Sequence, residues 1–290
     1  MTDPLDDAAR ALRPVTVPAT GRSDREWFVA QGVLLHPPRE EHVAAYAKGF
    51  ALDPFEARQR LMAPAPRLLF RFGDRREAQR WVAWGRLVSA PLFLIEAEEL
   101  LGFSPHPLDS LELHHNTLVL KAKDRQPVRI EADGFLCLVA GAVSAREVAE
   151  RRTPESLGGG MHVTRETQAA TTEWLMDFSL LGERVVFRLR GDSCDLSHIP
   201  LQVEEDGPKD FGRLLRLIRR LYPHLSVYDR FGQASQPLTD SRALLRESLE
   251  VASRSPLGSP RLAEKRVWVE SEAAAFDLYS CLSRAQFLAP

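Results

Sequence analysis

The feature that most constrains the fold of this chain is a change of hydrophobic period near residue 105. Before that point two helix starts are clearly encoded, because Asp53 and Asp74 are each followed three residues later by a glutamate, as in a capping box. After it, short apolar segments alternate with turn-forming residues, which is typical of antiparallel strands. We therefore predict an α+β protein in which a helix-rich part precedes a sheet-rich part.

The helix-rich part is predicted to be a small α/β domain over residues 32–104, a sandwich with the element order β-α-α-β-α-β. Its strands are predicted at residues 33–35, 67–72 and 92–95, which are mainly apolar. Residues 1–31 are polar and contain several prolines, so we predict that they form a flexible arm.

The sheet-rich part is predicted to be an antiparallel, barrel-like β domain over residues 105–230. The predicted strands are residues 111–114, 117–121, 128–130, 135–139, 173–178 and 185–190. Residues 143–170 are predicted to be a polar linker that interrupts these strands. An amphipathic helix over residues 209–222 is predicted to close the domain, since its apolar residues lie on one stripe: Phe211, Leu214, Leu215, Ile218, Leu221 and Tyr222.

The last part of the chain, residues 231–290, is predicted to be a C-terminal helical extension. A helix is predicted over residues 242–252 and a short strand over 266–269. The final predicted helix, residues 273–282, carries Phe276, Tyr279 and Leu282 on one face. This face would pack the extension onto the rest of the protein.

Two parts of the chain resemble known families. Residues 32–100 resemble the C-terminal domain of the bacterial ribosomal stalk protein, and the residues that carry the likeness are Glu56, Ala57, Arg58, Leu61, Met62, Ala63, Pro64, Arg76, Glu77 and Ala78. The resemblance implies a fold and no function, because the lysine-rich surface with which that family recruits translation factors is absent. Residues 108–230 resemble a pleckstrin-homology-like barrel in architecture. The composition, rich in arginine, alanine and proline, resembles that of proteins from high-GC bacteria.

Composition excludes several functional classes. The net charge of -2 gives no overall attraction to nucleic acid or to an anionic membrane. The three cysteines, Cys137, Cys194 and Cys281, are widely spaced and odd in number, so no disulfide framework is predicted. The chain contains neither a secretory signal nor a run of about 18 apolar residues, which predicts a cytoplasmic location.

The sequence contains no arrangement of nucleophile, base, metal ligands or glycine loop that forms a complete site. Cys194 and His198 are four residues apart, but no second pair at ligand spacing completes a zinc site. We therefore predict no catalytic residue, no metal and no cofactor. Residues that meet only in the folded chain are invisible to this reasoning, so an enzyme or small-ligand sensor, with a pocket lined by His114, His198 and Cys194, is an alternative.

The polar face of the helix at 209–222 is the strongest candidate for a binding surface. Five basic residues stand against Asp210, a net charge of +4: Lys209, Arg213, Arg216, Arg219 and Arg220. Arg213, Arg216 and Arg220 are spaced i, i+3 and i+7 and therefore share one face. Such a face can meet an acidic protein surface, phosphate groups or anionic lipid.

From this surface we predict a non-catalytic binding or regulatory protein whose partner is another protein. Anionic lipid is the second choice, because each basic residue near such a membrane contributes only about 1 kcal/mol. Nucleic acid is not expected, since the chain lacks both an overall basic charge and a basic strand interleaved with aromatic residues.

Trp84 is a second candidate for a contact residue. It lies three residues after Trp81, but Val82 and Val88 define a competing apolar stripe on the same predicted helix. We therefore predict that Trp84 is exposed at an interface, where tryptophan is enriched. Together with the C-terminal helix it suggests a second alternative, a homodimeric assembly component.

Overall fold

The computed structural model describes residues 26–34, 36–131, 133–154, 161–182, 185–199, 209–233, 241 and 265–289. Within these ranges the chain forms six α-helices and thirteen strands in three sheets, so the predicted α+β class is confirmed. Three hydrophobic cores separate the layers, which follow one another as helices, sheet A, a single helix, sheet B, and a last layer of sheet C with one helix.

Sheet A consists of three antiparallel strands with β1 in the centre. Its strands are β1 (Trp27–Gln31), β2 (Arg67–Phe72) and β3 (Leu92–Glu96), and the nearby helices are α1 (Glu40–Phe50), α2 (Pro54–Leu61), α3 (Arg75–Leu87) and α4 (Ala97–Leu101). The predicted order β-α-α-β-α-β is confirmed. Both predicted caps form, because Asp53 accepts hydrogen bonds from the N–H groups of Phe55 and Glu56, and Asp74 accepts one from Arg76.

The first strand lies six residues earlier than predicted. Residues 32–34 have no regular structure, whereas β1 occupies Trp27–Gln31, inside the predicted arm. Phe28 and Ala30 face one core and Val29 faces another, so both sides of β1 are covered. A strand covered on both faces shows no alternation of apolar and polar residues, which is why the pattern did not reveal it. Residues 1–25 lie outside the described part of the chain.

Sheets B and C are built from the remaining strands. Sheet C has the order β5-β6-β7, with β5 (Ser110–His114), β6 (Thr117–Lys121) and β7 (Val128–Ile130). Sheet B has the order β12-β8-β10-β11-β4, and β9 and β13 also pair with β8. Its strands are β4 (His106–Pro107), β8 (Phe135–Pro154), β9 (Met161–Thr167), β10 (Thr171–Leu180), β11 (Val186–Arg190), β12 (Val227–Tyr228) and β13 (Lys265–Ser271). The last two helices are α5 (Lys209–Leu221) and α6 (Ala273–Leu288).

The predicted barrel is wrong, since the described residues form two separate sheets here and no closed barrel. The two sheets pack around one core, to which sheet C contributes Leu118 and Ile130 and sheet B contributes Leu138 and Phe178. Alternation along a strand predicts which residues face a core but not which strand lies beside it. The amphipathic helix α5 packs on this same core through residues such as Leu214.

The polar linker predicted over residues 143–170 is wrong for residues 143–154 and 161–167, which form strands, whereas residues 155–160 lie outside the described part of the chain. Strand β8 continues to Pro154 and pairs with β9 on one side and β13 on the other. Charged residues of opposite sign stand in register across these strands, with Glu150 opposite both Arg165 and Arg266. Strands with such charged pairs carry little hydrophobic alternation, so their composition is typical of a loop. The predicted strand at 266–269 is confirmed within β13.

Helix α6, predicted to belong to a C-terminal extension, is instead a central layer of the protein. It lies in one core with residues of sheet A such as Phe93 and residues of sheet B such as Val139. Its predicted face is buried, and so are Leu278 and Cys281 elsewhere on the helix. A helix that is buried on several sides carries apolar or small side chains around its whole circumference, so its pattern does not indicate a single contact face. The helix predicted at 242–252 lies outside the described residues, and no described helix is long and apolar enough to cross a bilayer.

A buried ion-pair network joins sheet B to α6. Arg188 donates two parallel hydrogen bonds to the carboxylate of Asp177, with Nε–Oδ1 at 2.6 Å and Nη2–Oδ2 at 2.7 Å. Its Nη1 donates to Oδ1 of Asp277 on α6 at 2.5 Å, and the guanidinium lies 5.1 Å from the ring centroid of Phe276. Asp177 is 0% exposed, so its charge is compensated inside the protein rather than by water.

We predict that Arg188→Met destabilises the protein by about 3–5 kcal/mol, because it leaves the buried carboxylate of Asp177 without its counter-ion. The free energy of unfolding is measured by urea denaturation. The matched control is Arg190→Met on the same strand, which removes the exposed ion pair with Glu173 and should cost less than about 1 kcal/mol. Equal losses for the two variants would contradict a special role for the buried network.

The deficit of Arg188→Met is also expected to depend on pH. Burial raises the pKa of Asp177, and in the variant no guanidinium opposes that shift. An acid whose pKa is higher in the folded state binds more protons when folded, so stability is lost as pH rises above the acid's unfolded pKa of about 3.9. The deficit should therefore shrink as the pH is lowered from 7 toward 4.

Candidate functional site

Helix α5 presents an apolar face to the core and a basic face to solvent. Its buried residues are Phe211, Leu214 and Ile218. Just after the helix, the hydroxyl of Tyr222 accepts a hydrogen bond from the N–H of Leu118 at 3.1 Å and donates one to the carbonyl oxygen of Ile130 at 3.0 Å. These bonds tie the end of α5 to sheet C, so the basic face is held in a fixed direction.

Two of the predicted basic residues, Arg216 and Arg220, are exposed and lie one helical turn apart. Neither forms an ion pair with a residue in the described part of the chain. The guanidinium of Arg216 lies back along the helix, 3.8 Å from the position that a Cβ of Gly212 would occupy. The two guanidinium groups are therefore accessible to an anionic partner.

The other predicted basic residues have different surroundings. Arg219 forms an ion pair with Asp229, with Nη2–Oδ2 at 2.7 Å, and so holds α5 to the segment after β12. Arg213 is half-buried. The side chain of Lys209 lies outside what the structure describes. Of the three exposed arginines Arg216, Arg219 and Arg220, only Arg216 and Arg220 form no ion pair among the described residues. The predicted basic face therefore offers these two arginines, rather than five equivalent charges, to a partner.

A groove of about 530 Å³ runs beside Arg220 between α5 and the turn that joins β5 to β6. We call it the α5 groove, and it is lined by Leu113, Asn116, Leu217, Arg220 and Leu221. His115, with a φ of 48°, and Asn116, with a φ of 67°, form a two-residue hairpin turn in which both residues have the left-handed backbone conformation. The sequence did contain a signal for this groove, because Leu217 lies among arginines and outside the predicted apolar stripe.

The prediction that Trp84 is exposed is wrong, since it is 2% exposed. Its ring packs between α1 and α3, with centroids 6.1 Å from Tyr46, 5.5 Å from Phe50 and 5.7 Å from Trp81. Gly49 provides the space, because a Cβ there would lie 2.3 Å from Cζ2 of Trp84. The residue that makes room for Trp84 lies on a different helix, so the pattern along α3 could not show it.

Among the tryptophans whose exposure the structure describes, Trp174 is the exposed one, with 37% of its surface accessible. It stacks on Phe211 at the start of α5, with ring centroids 5.3 Å apart. Trp84 is therefore not available as a contact in the alternative of a homodimeric assembly component.

The residues proposed for a ligand or enzyme pocket are only partly brought together. His114 Nε2 lies 2.8 Å from Glu112 Oε2, and Lys121 Nζ lies 2.5 Å from the other carboxylate oxygen. These partners, with His198 nearby, hold the pKa of Glu112 below its usual range. Burial raises the pKa of the Cys194 thiol to about 12, so it stays protonated and unreactive. Among the described residues, no group of three or more potential metal ligands is placed to hold an ion.

A second concave site lies where four segments meet: the chain after β1, the start of α1, the end of α3 and the end of α6. We call it the His42 cleft; its volume is about 430 Å³. Its wall includes Val33, Pro37 and Pro91, and its polar side carries His42 and Ser89. No sequence motif indicates this cleft, because its residues are separated by as many as 253 positions.

Ser89 has an unusual backbone conformation for its residue type. Its φ is 52°, in the left-handed region that favours glycine. It follows α3 as the C′ residue of a Schellman motif, in which the N–H of Ala90 bonds to the carbonyl oxygen of Gly85 at 2.8 Å. The Ser89 hydroxyl lies 3.4 Å from Nε2 of His42. A strained residue thus presents a hydroxyl beside an imidazole in the cleft.

We predict that Gly49→Ala destabilises the protein by about 1–3 kcal/mol, because the added methyl group must displace the Trp84 ring. Gly212→Ala on α5 is the matched control. A Cβ there meets only the end of Arg216, so the better helix propensity of alanine should stabilise by about 0.5–1 kcal/mol. Thermal denaturation measures both, and opposite signs are expected. A neutral effect at residue 49 would contradict the tight packing between α1 and α3.

We predict that Ser89→Gly stabilises the protein by about 1 kcal/mol, since glycine adopts the left-handed conformation without a steric cost. Ser89→Ala keeps the Cβ and should give no such gain. Ala51, which ends α1 with a φ of 53°, offers a second test, because Ala51→Gly should stabilise by a similar amount. Urea denaturation gives the three free energies of unfolding. A loss of stability in Ser89→Gly would show that the backbone there is not strained.

Comparison with known proteins assigns no function to either site, so each is interpreted from its own residues. No protein-family model, no curated protein and no solved structure matches the chain. The resemblances of residues 32–100 and 108–230 to known families therefore stay predictions. Among the described residues, the α5 groove and the His42 cleft are two concave sites from which function can be argued.

Proposed function

We propose that this protein acts as a non-catalytic adaptor or regulatory protein that binds an acidic, amphipathic segment of a partner protein in the α5 groove. One observation carries the proposal: exposed Arg220 lines a groove whose wall contains Leu113, Leu217 and Leu221. Arg216, also exposed, lies one helical turn before Arg220 on the same helix. Guanidinium groups beside an apolar groove suit a ligand that offers carboxylates and apolar side chains together. We place this activity in the cytoplasm.

The concave shape of the site favours a peptide over a membrane. An amphipathic helix inserts apolar side chains at i, i+3 or i+4 spacing into a groove, and its acidic residues then reach the rim. A flat bilayer cannot enter the groove and would meet mainly the two exposed arginines, which contribute about 1 kcal/mol each. That attraction is too small for stable membrane binding on its own.

The rigidity of the site also supports binding. The hydrogen bonds of Tyr222 and the ion pair between Arg219 and Asp229 fix α5 before a partner arrives. A preformed surface loses little conformational entropy on association, so a modest contact area can give useful affinity. Binding of a partner by these leucines and arginines requires no catalytic group.

The test uses a fluorescein-labelled peptide of about 18 residues with leucines at i, i+4 spacing, a glutamate beside each leucine and alanine, the best helix former, on the remaining positions. Fluorescence anisotropy at low salt should show saturable binding to the full chain. We expect Arg216→Glu combined with Arg220→Glu to weaken binding at least about tenfold, a loss of about 1.4 kcal/mol. The same peptide with glutamine in place of glutamate should bind more weakly than the acidic form.

The matched control is Arg76→Glu combined with Arg80→Glu on α3. These two arginines are also exposed and one turn apart, so the control changes the net charge equally. It should bind the peptide as the unaltered protein does. If both double variants weaken peptide binding equally, net charge alone explains the effect and the proposal is overturned. Binding to vesicles with about 30% phosphatidylserine, without binding to the peptide, would favour lipid and equally overturn it.

A further inference from the structure

We infer that the His42 cleft binds a small organic carboxylate whose apolar body is about the size of one aromatic ring. This site is separate from the α5 groove and shares no lining residue with it. Its volume of about 430 Å³ lies within the range of about 300–1,000 Å³ that is usual for small-molecule sites.

The polar groups of the cleft match a carboxylate. Ser89, His42 and Arg39 all line it, and the hydroxyl, imidazole and guanidinium of these residues can each donate a hydrogen bond to an anionic oxygen. His36 lies on the same lining and offers a second imidazole. Hydrogen bonds to a charged acceptor are about twice as strong as neutral ones, so these donors favour an anion over its neutral analogue.

Acidic groups near the cleft limit the charge of the ligand. Glu41 lies 3.5 Å from Arg39 and 3.8 Å from His42, measured between its Oε1 and the nearest nitrogen of each. Glu40 forms an ion pair with Arg58 on α2, which turns its charge to another partner. A single negative charge can share Arg39 with Glu41, whereas a dianionic phosphate would be repelled more strongly by that carboxylate.

Helix α1 adds a weaker contribution from its positive end. The helix begins beside the cleft, and its N-cap residue, Arg39, makes no side-chain cap hydrogen bond. Partial positive charge from the first N–H groups of a helix stabilises an anion placed near them. This effect acts in the same direction as the side-chain donors.

The apolar wall of the cleft is preformed. Gln286 on α6 accepts a hydrogen bond from the N–H of Val33 and donates one to its carbonyl oxygen, each at 3.0 Å. These two bonds hold the chain after β1 in place. Pro37, Pro38 and Pro91 complete the wall, and proline side chains have little freedom to lose on binding.

The strain at Ser89 is consistent with a role for its hydroxyl. Glycine would satisfy the Schellman motif without the steric cost, yet the chain carries serine with its hydroxyl beside His42. If Ser89 has only a structural role, Ser89→Gly should raise the stability of the protein and leave its affinity for a ligand unchanged. A binding position would gain stability and lose affinity, and this difference can be measured.

The test titrates the full chain with phenylacetate and, as an uncharged isostere, phenylacetamide, monitored by two-dimensional NMR. We expect saturable shifts of signals from residues around the cleft, and at least about tenfold weaker binding of the amide, because charge-assisted hydrogen bonds are lost. Ser89→Gly and His42→Gln should each weaken phenylacetate binding by about three- to tenfold. Stability is recorded in parallel, so that unfolding cannot explain a loss of affinity.

The double variant Arg216→Glu and Arg220→Glu is the control for the site, and it should bind phenylacetate normally. Loss of binding in this control would assign the probe to the α5 groove and overturn the inference. Equal binding of acid and amide, unchanged affinity in both cleft variants, or no saturation at about 20 mM would each overturn it as well. Because the peptide experiment uses a different surface, failure here leaves the proposed function untouched.

Discussion

The buried contact of Arg188 with Asp177 and Asp277 is the interaction on which the arrangement of layers depends. It joins adjacent strands of sheet B to α6, and α6 in turn packs against sheet A. A buried carboxylate requires its partner in one geometry, because a shifted helix would leave charge uncompensated in the core. We infer that this network selects one position of α6 among the many that a largely apolar helix could adopt.

Both candidate sites follow from that arrangement, on opposite sides of α6. Toward sheet A, the end of α6 places Gln286 against Val33 and so shapes the wall of the His42 cleft. Away from α6, the far face of sheet B shares a core with sheet C and α5, and this packing sets where the α5 groove lies. Neither site is carried by one element alone, which explains why no short motif marks either of them.

Sequence reasoning succeeded where local chemistry decides structure. Asp53 and Asp74 cap helices as predicted, and α5 buries the predicted apolar residues. It failed where the environment decides. Strand β1 is covered on both faces, and strands β8 and β9 carry charged pairs, so these three strands lack the period of half-buried strands. Helix α6 was predicted as a helix with one buried face, but its burial on several sides was not. Trp84 was wrongly predicted to be exposed, because the space that its ring fills is provided by Gly49 on a different helix, α1.

The orientation of α5 about its own axis determines whether its basic residues can act at all. Successive residues of a helix are about 100° apart, so a rotation by about one residue would put Leu217 in the exposed place of Arg216 and Arg219 in the buried place of Ile218. The hydroxyl of Tyr222 prevents this, because its bonds to Leu118 and Ile130 require one rotation of the helix end. Leu217 and Leu221 are thereby kept at the groove, together with Arg220. A binding surface needs only this fixed placement of ordinary side chains, and for that reason a chain without catalytic motifs can still have a specific partner.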